Sequence, residues 1–451
     1  MLAIHAHPSR SAEAALRRIE GRRLLFSPRE TERIRRILEE VRVRGDAALV
    51  AYTRRYDAPR FSRRRLVPSA EEEAASRGVG RAFRRALERA ASHIEAFHRR
   101  QLRPGFVLAE RPGTLLGQLV RPVERAGVYV PGGPGGTTPL ISSVLMGAIP
   151  ARTAGVGEIV MVSPPRADGS IDPRLLAAAR AAGVSRVFKV GGPWAIGALA
   201  WGTETIPRVD VIVGPGNLYV TLAKRLVAGT VGIDLVAGPS ELVVAADGSA
   251  DPGFVAADLL AQAEHDPMAS VVLLTDRPAL ARAVAAAMEA QLPRLGREAI
   301  ARRAVRDYGA AFVAASLEAA FDLADRLAPE HLELHLEDPW AWLPRVRHAG
   351  AVFLGPWTPE AAGDYLAGPN HVLPTVGTAR FASALSVDHF LKKMSVIHYT
   401  EAALRREAAD IVRLAEAEGL EGHAQSVRRR VAGRRPLRPA SARGKRAGGA
   451  G

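Results

Sequence analysis

Between residues 31 and 56, TERIRRILEEVRVRGDAALVAYTRRY repeats apolar residues every three or four positions, with Arg and Glu between them. That spacing predicts amphipathic helices, and the same texture runs from about Ser27 to Gln101. From Leu116 the pattern changes. Short β-branched runs end in glycine or proline, as in GVYVPGG, EIVMVSPP, RVFKVGG and VDVIVGPG, with Ala-rich segments such as LLAAARAAG and WAIGALAWG between them. Strands alternating with helices predict a parallel sheet covered on both faces. A second series repeats the alternation: ELVVAAD, SVVLLTD, FVAAS, LELHLE and AGAVFLGP. The fold class is therefore α/β, with two Rossmann-like parallel-sheet domains and helical extensions at the N- and C-terminal ends.

The breaks in pattern divide the chain into an N-terminal arm (1–26), a discontinuous first α/β domain (27–128 and 241–382) and a second α/β domain (129–240). A C-terminal arm (383–427) and a basic tail (428–451) complete it. The arm reads as helical and too thin for a core of its own, so it is expected to dock elsewhere, on another subunit.

Composition narrows the function classes. With 47% apolar residues in 451 the chain can fill large cores, and global disorder is excluded. There is no cysteine, which excludes disulfides, thiolate metal sites and a cysteine nucleophile. The formal charge of +15 raises nucleic acid as a partner, but residues 428–451 hold nine Lys+Arg and no acid, which leaves only +6 for the rest. Such a Gly/Ala/Pro/Arg tail is expected to be disordered, and no specific nucleic-acid partner is expected. Residues 126–151 carry no charge, yet PGGPGG and two further prolines break the helix that a bilayer demands. No membrane span is expected. The opening MLAIHAHPSRSAEAALRRIEGRR has no apolar run of signal-peptide length, so a cytoplasmic protein is expected.

Candidate chemistry sits in four polar stretches. In LLAQAEHDP (259–267), Gln262 and His265 would stack on one face at helical pitch, a spacing suited to nitrogen and oxygen ligation of a metal. In APEHLELHLEDP (328–339), read as a strand, Leu332, Leu334 and Leu336 face the core and His331, Glu333 and His335 the other side. Glu333 and His335 are expected on a solvated face. Glu330 and His331, at the strand mouth after Pro329, form a plausible acid–base pair. GDYLAGPNHVLPT (363–375) offers Asp364 as an oxygen ligand and His371 in a loop stiffened by Pro369 and Pro374. In AEAEGLEGH (415–423) a helix is expected to end at Gly419, with Glu418 and His423 at or just beyond its terminus. Together Gln262, His265, Asp364 and His423 make a nitrogen/oxygen metal set, with Glu330 and His331 as acid–base partners. Two glycine loops follow strands, GPGN (214–217) and PGGPGG (131–136). Each is either a phosphate-binding turn or a plain tight turn.

The stretches QAEHDP, LAPEHLEL, GPNHVLPT and EGLEGH, in this order, resemble the histidinol dehydrogenase family, as do RGDAAL, AGVYVPGG, SSVLMGAIPA, GPGN and AGPSEL. The resemblance runs from about Val41 to Val427. It implies oxidation of L-histidinol to L-histidine through the aldehyde with two NAD and one zinc per site, in a homodimer whose arm completes the partner's site. It implies zinc ligation by Gln262, His265, Asp364 and His423, and catalysis by Glu330 and His331. Substrate contacts are implied for Ser240, Gln262, His265, His331, Asp364, His371, Glu418 and His423, and NAD contacts for Tyr129 and Asn217. Trp194 stands at a cofactor-binding position where the family usually has a glutamine, and the PGGPGG turn is about three residues longer than usual. Two rival readings remain. One is a related NAD-dependent dehydrogenase for another alcohol such as a sulfonated diol, against which His371 argues. The other is a zinc-dependent hydrolase, which needs no dinucleotide.

Overall fold

Alternation along single strands explains the first core. In Glu158–Ser163, Ile159 and Met161 enter one hydrophobic cluster while Val160 and Val162 enter another. Successive side chains leave opposite faces of a strand, so a run apolar at every position needs cover on both sides. Helices Arg81–Arg99, Ile141–Ala154 and Pro173–Ala182 supply it on one face. Pro28–Arg44, Gly192–Trp201 and Leu218–Val227 supply it on the other. The sheet between them has five parallel strands, in the order Arg186–Lys189, Glu158–Ser163, Arg125–Tyr129, Val211–Val213 and Gly232–Ile233.

The computed structural model describes residues 2–22, 26–133 and 137–432. Its second sheet is also parallel throughout, with six strands ordered Ala3–Ala6, Gly309–Val313, Ser270–Thr275, Glu241–Ala246, His331–His335 and Ala351–Leu354. Helices Pro252–Ala263, Pro278–Gln291 and Glu298–Tyr308 cover one face, and Arg10–Glu20 and Leu317–Leu327 the other. Both sheets belong to one compact unit, residues 1–102 with 122–392. A second unit joins residues 103–121 to the chain from 393 onward. It holds helices Glu401–Ala417 and Glu421–Val431 and a small sheet ordered Leu391–Tyr399, Thr114–Pro122, Phe106–Arg111. Among the described residues no helix is long and apolar enough to cross a membrane.

The α/β class with two parallel sheets is as expected, and four details differ. Ala3–Ala6 is not part of a free arm but an edge strand paired with Gly309–Val313; four residues are too few for periodicity to announce. The helices after Ser27 cover the five-stranded sheet, and of them Arg81–Arg99 also touches residues 241–382, where His93 and His98 meet Leu366 and Asn370. Ile34, Ile37, Leu38 and Val41 pack into the cluster around Trp194 and Ile212, because the five-stranded sheet needs that cover. The segment 383–427 is not wholly helical: Leu391–Tyr399 is a strand, exposed along most of its length, which hid its β character. The basic tail begins as helix, since Glu421–Val431 includes Arg428–Arg430; residues 433–451, and 134–136 of the PGGPGG turn, lie outside the described residues.

Candidate active site

The centre of the site is the amino end of strand His331–His335. Ala328, in the left-handed region at φ 47°, ends the preceding helix and turns the chain so that Pro329 leads Glu330 and His331 into the sheet. Neighbouring strand Glu241–Ala246 lies in register with it, His331 opposite Leu242. That pairing brings the Glu241 backbone to both candidates. Glu330 Oε2 accepts from Glu241 N at 2.9 Å, and His331 Nδ1 lies 3.0 Å from the Glu241 carbonyl. A carbonyl only accepts, so Nδ1 carries the proton and Nε2 keeps its lone pair.

Burial sets the electrostatics. It pushes Glu330 well above the usual carboxylate range, with the Glu241 and Asp364 charges adding to the effect. It lowers His331 to about 4, so the imidazole is neutral near pH 7. Glu241 is itself buried and ion-paired with Arg22, and accepts from Val376 N at 3.0 Å.

Gln262, His265 and Asp364 come together beside this pair. Gln262 lies in the last turn of helix Pro252–Ala263 and is fully buried, whereas His265 lies in the turn just beyond rather than on the helix. Helix Glu360–Tyr365 carries Asp364 one turn after Glu360, whose carboxylate is 3.6 Å from His331 Nδ1. Ligand atoms of His265, Glu360 and Asp364 all lie within 4.8 Å of one another. The Gln262 amide abuts this carboxylate; with its NH2 turned toward Glu360 it donates at 2.6 and 2.9 Å. His371 Nδ1 is 3.4 Å from Asp364 Oδ1. Burial would raise Asp364, but His371, His331 and His265 hold it below its ordinary value. Burial and the neighbouring carboxylates push Glu360 well above its own. An imidazole, carboxylates and an amide within this radius suit a divalent cation of zinc's class. Glu360 is missing from the sequence expectation. Its signal was present as Glu360 and Asp364 four apart, two carboxylates on one helical face.

Glu330, His331, His265, Glu360 and Asp364 line a cleft of about 590 Å³ together with Ser240, His371 and, on another wall, Pro131, Pro215, Gly216 and Asn217, while Gln262 is buried behind it. The cleft thus joins amino ends of strands in one sheet to carboxyl ends of strands in the other. Gly214 opens the GPGN turn at φ 112°, where a Cβ would meet the Tyr129 carbonyl at 2.1 Å, so no other residue allows this close approach. Asn217 caps the next helix through Oδ1, accepting from Tyr219 N and Val220 N at 3.1 Å each. The other expected cofactor contacts stand elsewhere. Tyr129 is buried with its hydroxyl bonded to Gly192 N, and Trp194 is 5% exposed, stacked on Tyr52 and Tyr56 at 5.5 and 5.4 Å. Both are core side chains of the five-stranded sheet rather than part of the cleft lining. Glu418 and His423 are exposed in the second unit, Glu418 at the end of one helix and His423 within the next. Glu333 and His335 are not solvated: they are 1% and 2% exposed.

A family model for histidinol dehydrogenase matches residues 22–431. The chain is 55% identical over 396 residues to histidinol dehydrogenase of Desulfotalea psychrophila, covering 88% of this chain and 91% of that protein. It is 50% identical over 421 residues to that of Symbiobacterium thermophilum, covering 93% and 95%. A crystal structure of histidinol dehydrogenase from Elizabethkingia anophelis superposes with a TM-score of 0.88 at 36% identity, covering 96% of this chain and 98% of that one.

Proposed function

The chain belongs to the histidinol dehydrogenase family, oxidoreductases of histidine biosynthesis, and from that premise we propose that it oxidises L-histidinol to L-histidine in two steps, with zinc and two NAD. The observation that carries the mechanism is the neutral, buried His331 with a free Nε2 beside Glu330, whose burial raises its affinity for a proton. Bound zinc, held by Gln262, His265, Asp364 and His423, would fix the substrate's imidazole and amino nitrogens. Glu360 stands close enough to join or orient that set.

His331 Nε2 takes the alcohol proton as hydride departs to NAD. Glu330, as its carboxylate, then draws a proton from the water that hydrates the aldehyde. His331, having released its first proton to solvent, takes the hydrate's hydroxyl proton as the second hydride leaves to a second NAD. Both residues are nearly closed off from solvent, at 6% and 4% exposed, so neighbouring groups rather than bulk water set their proton affinities. Ser240 and His371 contact the substrate, and Asn217 offers its amide NH2 to NAD while Oδ1 stays on the helix cap.

The protein is a cytoplasmic homodimer in this reading, with Glu418 and His423 entering the partner's site. The second unit supports it by exposing large apolar side chains: Val107 at 72%, Ile397 at 71% and Leu414 at 67%. Mixing inactive His423→Ala and Glu330→Gln chains under subunit exchange tests the shared site, since only a shared site regains activity. The overall reading is tested by NADH formed per L-histidinol consumed: two with metal, none after chelation. NADH made from a sulfonated diol but not from histidinol would favour the related dehydrogenase.

A further inference from the structure

Strand His331–His335 carries a second histidine on the same face, two pleats beyond the first. Helix Pro252–Ala263 repeats the spacing: Asp258 precedes Gln262 by one turn. Each element therefore presents one residue to the catalytic cluster and one to a second cluster deeper along the sheet, with Glu333 between them. Ligand atoms of Asp258, Glu333 and His335 all lie within 4.8 Å of one another. We propose that these three side chains form a second divalent-cation site, of zinc's class, separate from the catalytic one.

Three observations carry it. His335 Nε2 is 3.4 Å from Glu333 Oε2 and 3.5 Å from Asp258 Oδ2, and neither contact has hydrogen-bond geometry. Ion-paired hydrogen bonds close to about 2.8 Å. Roughly 3.4 Å instead separates neighbouring ligands around a tetrahedral ion with bonds of about 2.1 Å. Second, both His335 ring nitrogens and Glu333 Oε2 are buried without a partner. Buried polar atoms of native proteins are nearly always satisfied, and one cation would answer Nε2 and Oε2, which face each other at 3.4 Å. Third, two carboxylates meet here, and among the described residues their one ion-pair partner is His335 itself, whose proton a cation can replace. A dication answers that charge. Asp258, 14% exposed at its side chain, leaves the way in.

Glu333 also links the clusters, because its Oε1 accepts from Glu360 N at 2.8 Å. An ion on Oε2 would fix that carboxylate, and through it the start of the helix bearing Glu360 and Asp364.

The test is zinc content of full-length protein after equilibrium dialysis against Zn2+. The expected count is two per chain, falling to one in His335→Gln and to one in Asp258→Asn. His265→Ala also drops to one, by loss of the catalytic ion, so failure at either site is told apart. Asp258→Asn keeps size at a part-exposed position and guards against misfolding of the buried variant. A wild-type count of one, lost in His265→Ala and unchanged in the other two, overturns the proposal. So does a count of two that both Asp258→Asn and His335→Gln retain.

Discussion

His331 and His335 stand on one face of one strand, almost equally buried at 4% and 2% exposed, yet their surroundings drive them in opposite directions. At His331, burial outweighs the neighbouring Asp364 charge and the pKa falls to about 4. At His335 burial works the same way, but Asp258 and Glu333 outweigh it and the pKa rises to about 9. The difference lies in how the charges are held. Around His331 the carboxyls of Glu330 and Glu360 are pushed well above the usual carboxylate range. Burial raises Glu333 as well, but Glu333 and Asp258 both approach one nitrogen of His335, at 3.4 and 3.5 Å. One histidine is a base free to take a proton; the other holds one, or yields its place to a cation.

The largest effect expected from this contrast is kinetic. His331→Asn should lower alcohol oxidation about 10²- to 10⁴-fold, the usual worth of a positioned base, while His335→Gln should cost less than tenfold. Equal losses would erase the distinction. Next is the division of labour between the paired residues. Glu330→Gln should slow aldehyde oxidation roughly 100-fold and alcohol oxidation much less, measured on each half-reaction with the aldehyde supplied directly.

In chelated protein the two histidines should tilt stability oppositely. His335, raised in the fold, stabilises fully below its free value of 6.5, and that contribution is lost as pH climbs through about 9. His331, depressed in the fold, contributes fully above 6.5 and loses that contribution as pH falls toward 4. Each limb should amount to on the order of 2 kcal/mol in denaturant unfolding. His335→Gln should flatten the upper limb alone; an unchanged slope there refutes its charged state. The smallest effect concerns the link. Glu333→Gln can keep the bond from Glu360 N through its amide oxygen but removes a charge, so kcat should fall severalfold, about 1 kcal/mol, with KM for histidinol rising alongside it.

The site was partly legible in advance because its residues come in local pairs. Glu330 with His331, and Asp364 with His371, sit within single short stretches whose leucine alternation and prolines declare strand and loop. Glu360 is harder to single out because a glutamate after Pro359 resembles an ordinary helix start, even with Asp364 four residues on. The burial of Glu333 and His335 is hidden in the sequence for a related reason. Period-2 alternation reports that the leucines face one way, but it does not say whether a helix covers the opposite face. Here Pro252–Ala263 and the start of Glu360–Tyr365 cover it.

Trp194 shows the same division. Its place after GGP declares a helix start following a strand, and that is where it lies. Its burial against Tyr52 and Tyr56 depends on a helix more than a hundred residues earlier in the chain. The sequence alone determined the α/β class, the two parallel sheets and the residue pairs set by neighbours along the chain, because periodicity and turn chemistry act over a few residues. Only the tertiary structure decided which sheet the early helices cover, which polar faces are buried, and hence which of two histidines on one strand gains a proton, because burial and charge depend on what other parts of the chain bring near.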